Sequence, residues 1–511
     1  MDRRTFLTLP WLAALAGCRD TRAPGDGIPV DQRVVVLFPE QLKGTLDPRL
    51  NTRAWPGKLI HLAFDGLTTV NTPSGRPEPA LAAAIEQPAP EIYDVRLRPG
   101  ALFHDGSPVT ARDVAATLES VRDKALGSPL RTVHERLRRI ETQGADRVRL
   151  ILEAPHAPYL SDLSVGVLPA RYVEGKAPLM GAGPFAIQSR TDSHEVVLAR
   201  HDRYWRGRPT LPYVVVRAVT DQNTRLLALL GGAADLVQNA VSPRLADAMR
   251  SRPGLAVDTF PGTAYSYICF NLRQGPLADV RVRQALAHGI DRQGIIRHKF
   301  RGVATAAQGM LPASHWAYAP DQARYPHDPA KAAALLDAAG FPPGPDGVRL
   351  TIELKVNTDK FRRNLARVMT ADLAKIGVDL QVQAFEVGTL LSDVKSGNFQ
   401  AYMLQWGDPS EPHFYNWIFH GERVPTPSEP NRGGNRGAYV RPEVSALIDQ
   451  GRVAPEGERA AIYQQIQRLV AEDLPYLSLW HEDVVVVRRK GLTGYAASPN
   501  ASLYGLWQAR W

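Results

Sequence analysis

A strand, a helix and a second strand follow one another late in the chain, and this order constrains the fold more than any other feature. Leu350 to Asn357 is a largely apolar run of strand length. Phe361 to Ile376 has apolar residues at helical spacing, and Gly377 ends the helix, as glycine often does. Val378 to Ala384 alternates apolar and polar residues. Parallel strands need such a crossover, so the segment predicts an α/β fold with a parallel sheet.

Helix boundary signals occur in other parts of the chain as well. Asp328 and Pro329 open an alanine-rich segment that Gly340 closes, as the preferences at helix ends predict. Thr110 precedes a further amphipathic segment, and Asp113 is placed as the acidic partner of a capping box. The sequence contains no internal repeat, and no long linker separates two halves, so we expect short connections to cross the domain boundaries.

The first 29 residues have the pattern of an export signal. Arg3 and Arg4 precede a short apolar run, and small residues then precede Cys18. This order is typical of a secretory signal, and the run is shorter than the roughly 20 residues of a membrane span. The Leu-Ala-Gly-Cys end resembles a bacterial lipobox, so we expect residues 1–18 to be a lipoprotein signal with Cys18 acylated. Residues 19–29 are predicted to be a flexible tether. The arginine pair leaves both the twin-arginine and the general export route open.

Composition excludes some classes of protein. The 511 residues are 44% hydrophobic and 22% charged, which is ordinary for a globular chain long enough for two or three domains. The net charge of +9 is spread out, and its longest run is Arg488 to Lys490, so we expect no nucleic-acid partner. With Cys18 assigned to lipid, Cys269 is the remaining cysteine. We therefore expect no disulfide and a buried thiol.

Several motifs together carry a resemblance to a known family. The segment from Tyr93 to Val114, YDVRLRPGALFHDGSPVTARDV, resembles the signature of solute-binding family 5, the oligopeptide-, dipeptide- and nickel-binding proteins of ABC importers. Further segments match in family order, from about residue 34 to the end. They include Leu46 to Pro48, Gly181 to Phe185, Tyr204 to Pro209 and Asp279 to Asp291.

The resemblance implies the fold and the activity. The fold would be an α/β, two-lobed periplasmic-binding-protein fold of type II, cluster C-like, with an extra inserted subdomain. The expected division is lobe I at 30–58, 181–262 and 476–511, the inserted subdomain at 59–180, and lobe II at 263–475. The chain would be an exported monomer without a cofactor, periplasmic or at the cell surface. It would close around a peptide or other small solute and deliver it to an ABC permease and ATPase complex.

The resemblance also implies a residue for the ligand's α-ammonium group. Peptide binders of this family use an Asp shortly after a Trp, with a Pro four residues further on. Asp408 stands four residues before Pro412, although Trp406 precedes it by two residues where three is usual. We expect Asp408, Gly407 and Trp406 to contact the ligand. The alternatives are that Asp408 only starts a turn with the proline that follows it, and that Trp406 fills the core.

Other site candidates follow from the same resemblance. Dipeptide binders place an Arg at the strand end where this chain has Asn357, which leaves a carboxylate clamp in doubt and makes Asn357 a hydrogen-bonding candidate. Tyr265 is a further expected contact. His413 matches a His of the nickel-binding branch, so a nickel chelate stays open as an alternative ligand, as do opines and sugars.

An enzyme is the alternative of a different class. Ser392 and Lys395 match the Ser-x-x-Lys pattern of a serine nucleophile, but no Lys-Thr-Gly partner follows, and two free positions make chance matches frequent. A solvated helix end before Gly397 explains the pair equally well. We therefore predict a binding protein without catalytic residues. A sensing role without transport remains open.

Overall fold

The computed structural model describes residues 24–51, 54–191, 193–273 and 275–511. In these ranges the strands are β1 Arg33–Phe38, β2 Thr68–Thr69, β3 Glu78–Pro79, β4 Ala82–Ala89, β5 Ile92–Leu97, β6 Leu137–Gln143, β7 Arg147–Leu152, β8 Phe185–Thr191, β9 Glu195–Arg200, β10 Tyr213–Ala218, β11 Leu236–Gln238, β12 Leu255–Phe270, β13 Ala304–Ala306, β14 Leu350–Asn357, β15 Val378–Phe385, β16 Ala401–Trp406 and β17 Tyr476–Arg489. The helices are α1 Ala54–Ala63, α2 Ala111–Arg122, α3 Arg131–His134, α4 Tyr159–Asp162, α5 Ala170–Val173, α6 Gln222–Leu230, α7 Pro243–Met249, α8 Val280–Gly289, α9 Arg292–His298, α10 Pro329–Ala338, α11 Lys360–Ala374, α12 Val387–Ser396, α13 Phe414–Phe419, α14 Pro442–Val453 and α15 Glu456–Asp473.

One large mixed sheet runs through most of the molecule. Its strands lie in the order β15-β14-β16-β12-β17-β11-β1-β10-β9-β8, and β13 pairs with β17 beside this path. The predicted crossover is confirmed, because β14 and β15 pair in parallel from Leu350 opposite Val378 onward and α11 connects them. The predicted α10 is confirmed as well. Asp328 accepts a hydrogen bond from the Lys331 backbone N at 2.9 Å, and Gly340 follows the helix with a φ of +87°.

Two long strands, β12 and β17, divide this sheet into two halves. We call the half with β8 to β11 and β1 lobe I, and the half with β14, β15 and β16 lobe II; β12 and β17 are the hinge strands. Their pairing is interrupted between Phe260 and Ala264. Gly262 lies in the interruption, where a Cβ atom would collide with the backbone oxygen of Glu482. Such a bulge bends a strand, so the hinge strands bend where they pass from one lobe to the other.

Apolar cores cover both faces of the large sheet. A continuous cluster packs α8, α9, α10 and α11 against one face and spans both lobes, with Val35 and Ile352 among its buried members. On the other face, residues 492–509 cover lobe I, and aromatic residues such as Tyr267, Tyr402 and Tyr463 fill lobe II. Cys269 is buried in the aromatic cluster of lobe II, and its burial was predicted.

A smaller antiparallel sheet, β4-β5-β7-β6, lies between α1 and β8 in the sequence. It has its own core, in which Val114 and Leu118 of α2 pack with residues of β5 and β7. The predicted capping box begins α2, since the Thr110 backbone N donates to Asp113 Oδ2 at 2.8 Å. We call this part the small subdomain. It contacts lobe II, where the Ala157 backbone N donates to the Arg452 carbonyl oxygen at 2.8 Å.

Among the described residues, no helix is long and apolar enough to cross a membrane. The predicted lipidation at Cys18 and the predicted signal segment lie outside the described residues.

Candidate ligand-binding site

An open cleft lies where the hinge strands pass between the two lobes. It contains a chamber of about 760 Å³ and a smaller one of about 400 Å³. The chambers are continuous, because the same five residues line both: Asn239, Val241, Pro243, Phe361 and Glu482. The larger chamber is lined by α1, by the hinge strands, by residues 499–502 and by the loop after β16. Its volume is in the range of pockets for small ligands.

Asp408 faces the larger chamber from the loop after β16. Its Oδ1 accepts a hydrogen bond from Thr263 Oγ1 at 2.9 Å and another from Ser410 Oγ. Thr263 belongs to the bulge of β12, so a hinge strand orients this carboxylate. Although Asp408 is exposed to the cleft, the surrounding walls desolvate it and raise its pKa, while its hydrogen bonds and the charge of Lys58 oppose the rise.

Two basic side chains of α1 line the same chamber from lobe I. Lys58 and His61 lie about one turn apart. Burial lowers the pKa of Lys58 to about 8, and the charges of Asp408 and Glu40 oppose this effect. Burial alone lowers the pKa of His61 to about 4, so its imidazole is neutral near pH 7. The chamber therefore places a cation and a neutral imidazole opposite Asp408.

Glu482 of β17 lies at the boundary of the two chambers. Ser266 Oγ donates to Glu482 Oε1 at 3.4 Å, and Gln405 Nε2 donates to Ser266 Oγ at 3.3 Å. Arg362 Nη2, at the start of α11, donates to Gln405 Oε1 at 3.3 Å. Burial raises the pKa of Glu482, and the charge of Arg362 opposes the rise. These contacts connect an arginine of lobe II to a carboxylate of a hinge strand.

Of the three predicted contacts at residues 406–408, two line the cleft and one lies in the core. Gly407 and Asp408 line the larger chamber, as does Gln405. Trp406 is absent from both chamber walls, because side chains alternate along β16. Its ring stacks on Tyr267, with 6.1 Å between centroids, and packs in the lobe II core.

Two other predicted contacts also lie away from the chamber walls. Asn357 ends β14, and its Oδ1 accepts a hydrogen bond from the Asp359 backbone N at 3.3 Å before α11 begins. Tyr265 is 2% exposed, and its hydroxyl lies 2.7 Å from Ser478 Oγ inside lobe II. Both side chains therefore make structural contacts within the fold and do not face the cleft.

His413, the nickel-branch candidate, lies at the contact between lobe II and the small subdomain. Its Nδ1 is 3.0 Å from the Tyr463 hydroxyl, and its ring meets His156 edge to face at 5.7 Å. Burial lowers its pKa well below the usual value. Among the described residues, no group of three or more His, Cys, Asp or Glu side chains is arranged to hold a metal ion.

The serine and lysine of the enzyme alternative lie on an exposed helix. Ser392 and Lys395 belong to the last turns of α12, which ends at Gly397 with a φ of +79°. Neither residue lines a chamber of the cleft. The expected solvated helix end is what the structure shows.

Most of the residues that line the cleft were not predicted from the sequence. Lys58, His61, Asn239, Arg362, Glu482 and Asp483 come from distant segments that only the fold brings together. One signal was available, since Glu482 and Asp483 interrupt the apolar run from Leu477 to Val487. Adjacent carboxylates inside a central strand are unusual unless they face a cavity or a partner.

Known proteins resemble this chain over most of its length. It is 27% identical over 477 residues to the di/tripeptide-binding protein 2 of Pseudomonas aeruginosa (strain UCBPP-PA14), a match that covers 86% of this chain and 87% of the relative. It is 26% identical over 446 residues to the dipeptide-binding protein of Escherichia coli (strain K12), covering 80% and 81%.

The fold is also shared with solved structures. The ABC transporter substrate-binding protein CtaP from Listeria monocytogenes superposes with a TM-score of 0.82 at 22% identity, covering 93% of this chain and 98% of the other. The sequence profile of the bacterial extracellular solute-binding proteins, family 5 Middle, matches residues 76–425, more than half of the chain. The protein therefore belongs to the bacterial extracellular solute-binding proteins of family 5, with their two-lobed fold.

Proposed function

We propose that this solute-binding protein captures short peptides in the cleft and delivers them to its ABC permease and ATPase complex. The observation that carries the proposal is Asp408, a carboxylate that Thr263 and Ser410 orient toward the larger chamber. The α-ammonium of a peptide loses hydration in a cleft and needs an ionised acceptor there. Relatives named for binding di- and tripeptides support this ligand class.

Capture depends on closure of the two lobes around the peptide. Only the hinge strands continue the sheet from lobe I to lobe II among the described residues, and their pairing is interrupted at Gly262. A ligand that contacts both walls shifts the equilibrium toward the closed form. No covalent step is part of this proposal.

We also propose a division of the chain into two lobes and an inserted subdomain. We assign residues 30–58, 181–262 and 476–511 to lobe I, 59–180 to the inserted subdomain and 263–475 to lobe II. The separate core of the small subdomain supports its assignment as an insertion. The interruption of β12 near residue 262 supports the boundary between the lobes there.

The N-terminal sequence supports export and a membrane anchor. We propose that Cys18 carries lipid and that residues 19–29 connect it to the folded part. Cys18→Ala is expected to move the protein from the membrane pellet to the soluble exported fraction, because the acyl chains are lost. Fractionation with immunoblotting measures this, and Cys269→Ala is the matched control. Membrane retention of the Cys18 variant would contradict the anchor.

A thermal-shift screen tests the ligand class. The purified protein is heated with peptides of two to six residues, with Ni²⁺ and small polycarboxylates, and with oligosaccharides. A ligand that binds only the native state raises the melting temperature, by an amount that grows with its concentration. We expect free-amino peptides to raise it. A response to chelated nickel without any response to peptides would contradict the peptide proposal and favour the metal-chelate branch.

A further inference from the structure

Asp483 is a carboxylate of the cleft whose side chain has no partner among the residues that the structure describes. It lies on β17, where the hinge strands pass between the lobes, and it lines the larger chamber. Its backbone N donates to the Val303 carbonyl oxygen at 3.3 Å, whereas its side chain makes no hydrogen bond or ion pair within the described ranges. Burial raises its pKa to about 6, and no charge or donor of the described residues opposes this rise. Within the described part of the chain, this desolvated carboxylate thus has no counter-charge.

Carboxylates outnumber cations among the described residues that line the larger chamber. Asp408, Glu482 and Asp483 supply three carboxylates, and Lys58 supplies the ammonium group among the lining residues. The neutral His61 adds no charge near pH 7. Glu482 accepts a hydrogen bond from Ser266, but no cation lies within ion-pair distance of it among the described residues. If the ligand's α-ammonium pairs with Asp408, Asp483 still faces the chamber without a counter-charge among the described residues, whereas the charge of Arg362 partly offsets that of Glu482.

We propose that Asp483 binds a cationic side chain of the ligand, so that the cleft selects peptides containing a lysine-like or arginine-like residue. This inference rests on the proposed function, since it assigns a second subsite in the same cleft. A cation that pairs with a partly desolvated carboxylate makes a stronger hydrogen bond than a neutral group does. The subsite lies on a hinge strand, where a bound side chain is within reach of both lobes.

Calorimetric titration of two matched tripeptides tests the inference. Ala-Lys-Ala and Ala-norleucine-Ala have nearly the same shape and differ in the ε-ammonium. We expect the wild type to bind the lysyl peptide about 10-fold more tightly or better, the effect of one hydrogen bond to a charged group. Asp483→Asn is expected to reduce this preference to about 2-fold and to leave the norleucyl affinity unchanged.

Asp247→Asn is the control variant, because Asp247 is an exposed residue of α7 outside both chambers. It should keep the full preference, and circular dichroism should show that all variants are folded. Equal wild-type affinities for the two peptides, or an unchanged preference in Asp483→Asn, would overturn the inference while leaving the peptide proposal intact. Failure of both peptides to bind the wild type contradicts the proposed function itself, and this inference with it.

Discussion

Asp408→Asn is expected to weaken the binding of a peptide with a free N-terminus by about 100-fold or more. The asparagine keeps an oxygen that can accept the hydrogen bonds of Thr263 and Ser410, so the loop after β16 should hold its shape. What is lost is the negative charge opposite the α-ammonium. Removal of one partner of a buried charge pair costs about 2–5 kcal/mol, because the other charge stays desolvated and unpaired. Isothermal titration of the wild type and the variant measures the difference.

N-terminal acetylation of the peptide separates this effect from a general loss of the site. Acetylation should weaken binding to the wild type strongly and binding to Asp408→Asn little, because the interaction that acetylation removes is already absent there. Affinity for the wild type should also fall as the pH is lowered through the pKa of Asp408, which desolvation raises, because the protonated carboxyl no longer attracts a cation. Undiminished affinity of the variant for the free-amino peptide would remove Asp408 from the site.

Local signals in the sequence predict the framework of the fold well. The crossover from β14 through α11 to β15 is confirmed because periodicity and end residues agree over each element. The capping box of α2 is confirmed for the same reason, since it depends on residues three positions apart. Such features need no knowledge of distant parts of the chain.

The walls of the cleft depend on contacts that local signals do not contain. Asp408 and Gly407 were predicted from the resemblance to the peptide binders of the family, and they line the chamber. Trp406 is their neighbour in sequence, but strand alternation turns it into the lobe II core. Tyr265 and Asn357 likewise support the framework, because a site residue and a core residue look alike in one sequence.

The other residues that line the cleft are far apart in the sequence, and only the tertiary fold brings them close to one another. Lys58 on α1 and Arg362 on α11 are about 300 positions apart, yet both line the cleft. No periodicity connects such residues. The acidic pair within β17 is different, because charged residues in an apolar central strand indicate a cavity even when the partner segments are unknown.

Arg459→Ala is expected to be the most destabilising of the changes considered, by about 3–5 kcal/mol, the cost of breaking a buried ion pair from one side. The Arg459 side chain is 1% exposed. Its Nη2 donates to Glu411, and its Nη1 donates to Glu456 Oε2 at 3.2 Å. Glu411 in turn accepts a hydrogen bond at 2.8 Å from Ser161 of the small subdomain. The variant therefore leaves a desolvated carboxylate unpaired at the contact between lobe II and the small subdomain, and chemical denaturation followed by tryptophan fluorescence measures the loss.

Arg468→Ala is the matched control on the same helix, α15. Its guanidinium pairs with Asp321 at 2.9 Å, but the Arg468 and Asp321 side chains are 38% and 60% exposed, so its removal should cost about 0–1 kcal/mol. Adding Glu411→Gln to the Arg459 variant should recover part of the lost stability, because it removes the unpaired charge. Burial and the charge of Glu411 raise the pKa of the nearby Asp162 to about 8, and Arg459 opposes that rise. Equal costs for the Arg459 and Arg468 variants would mean that the buried cation does not hold lobe II to the small subdomain.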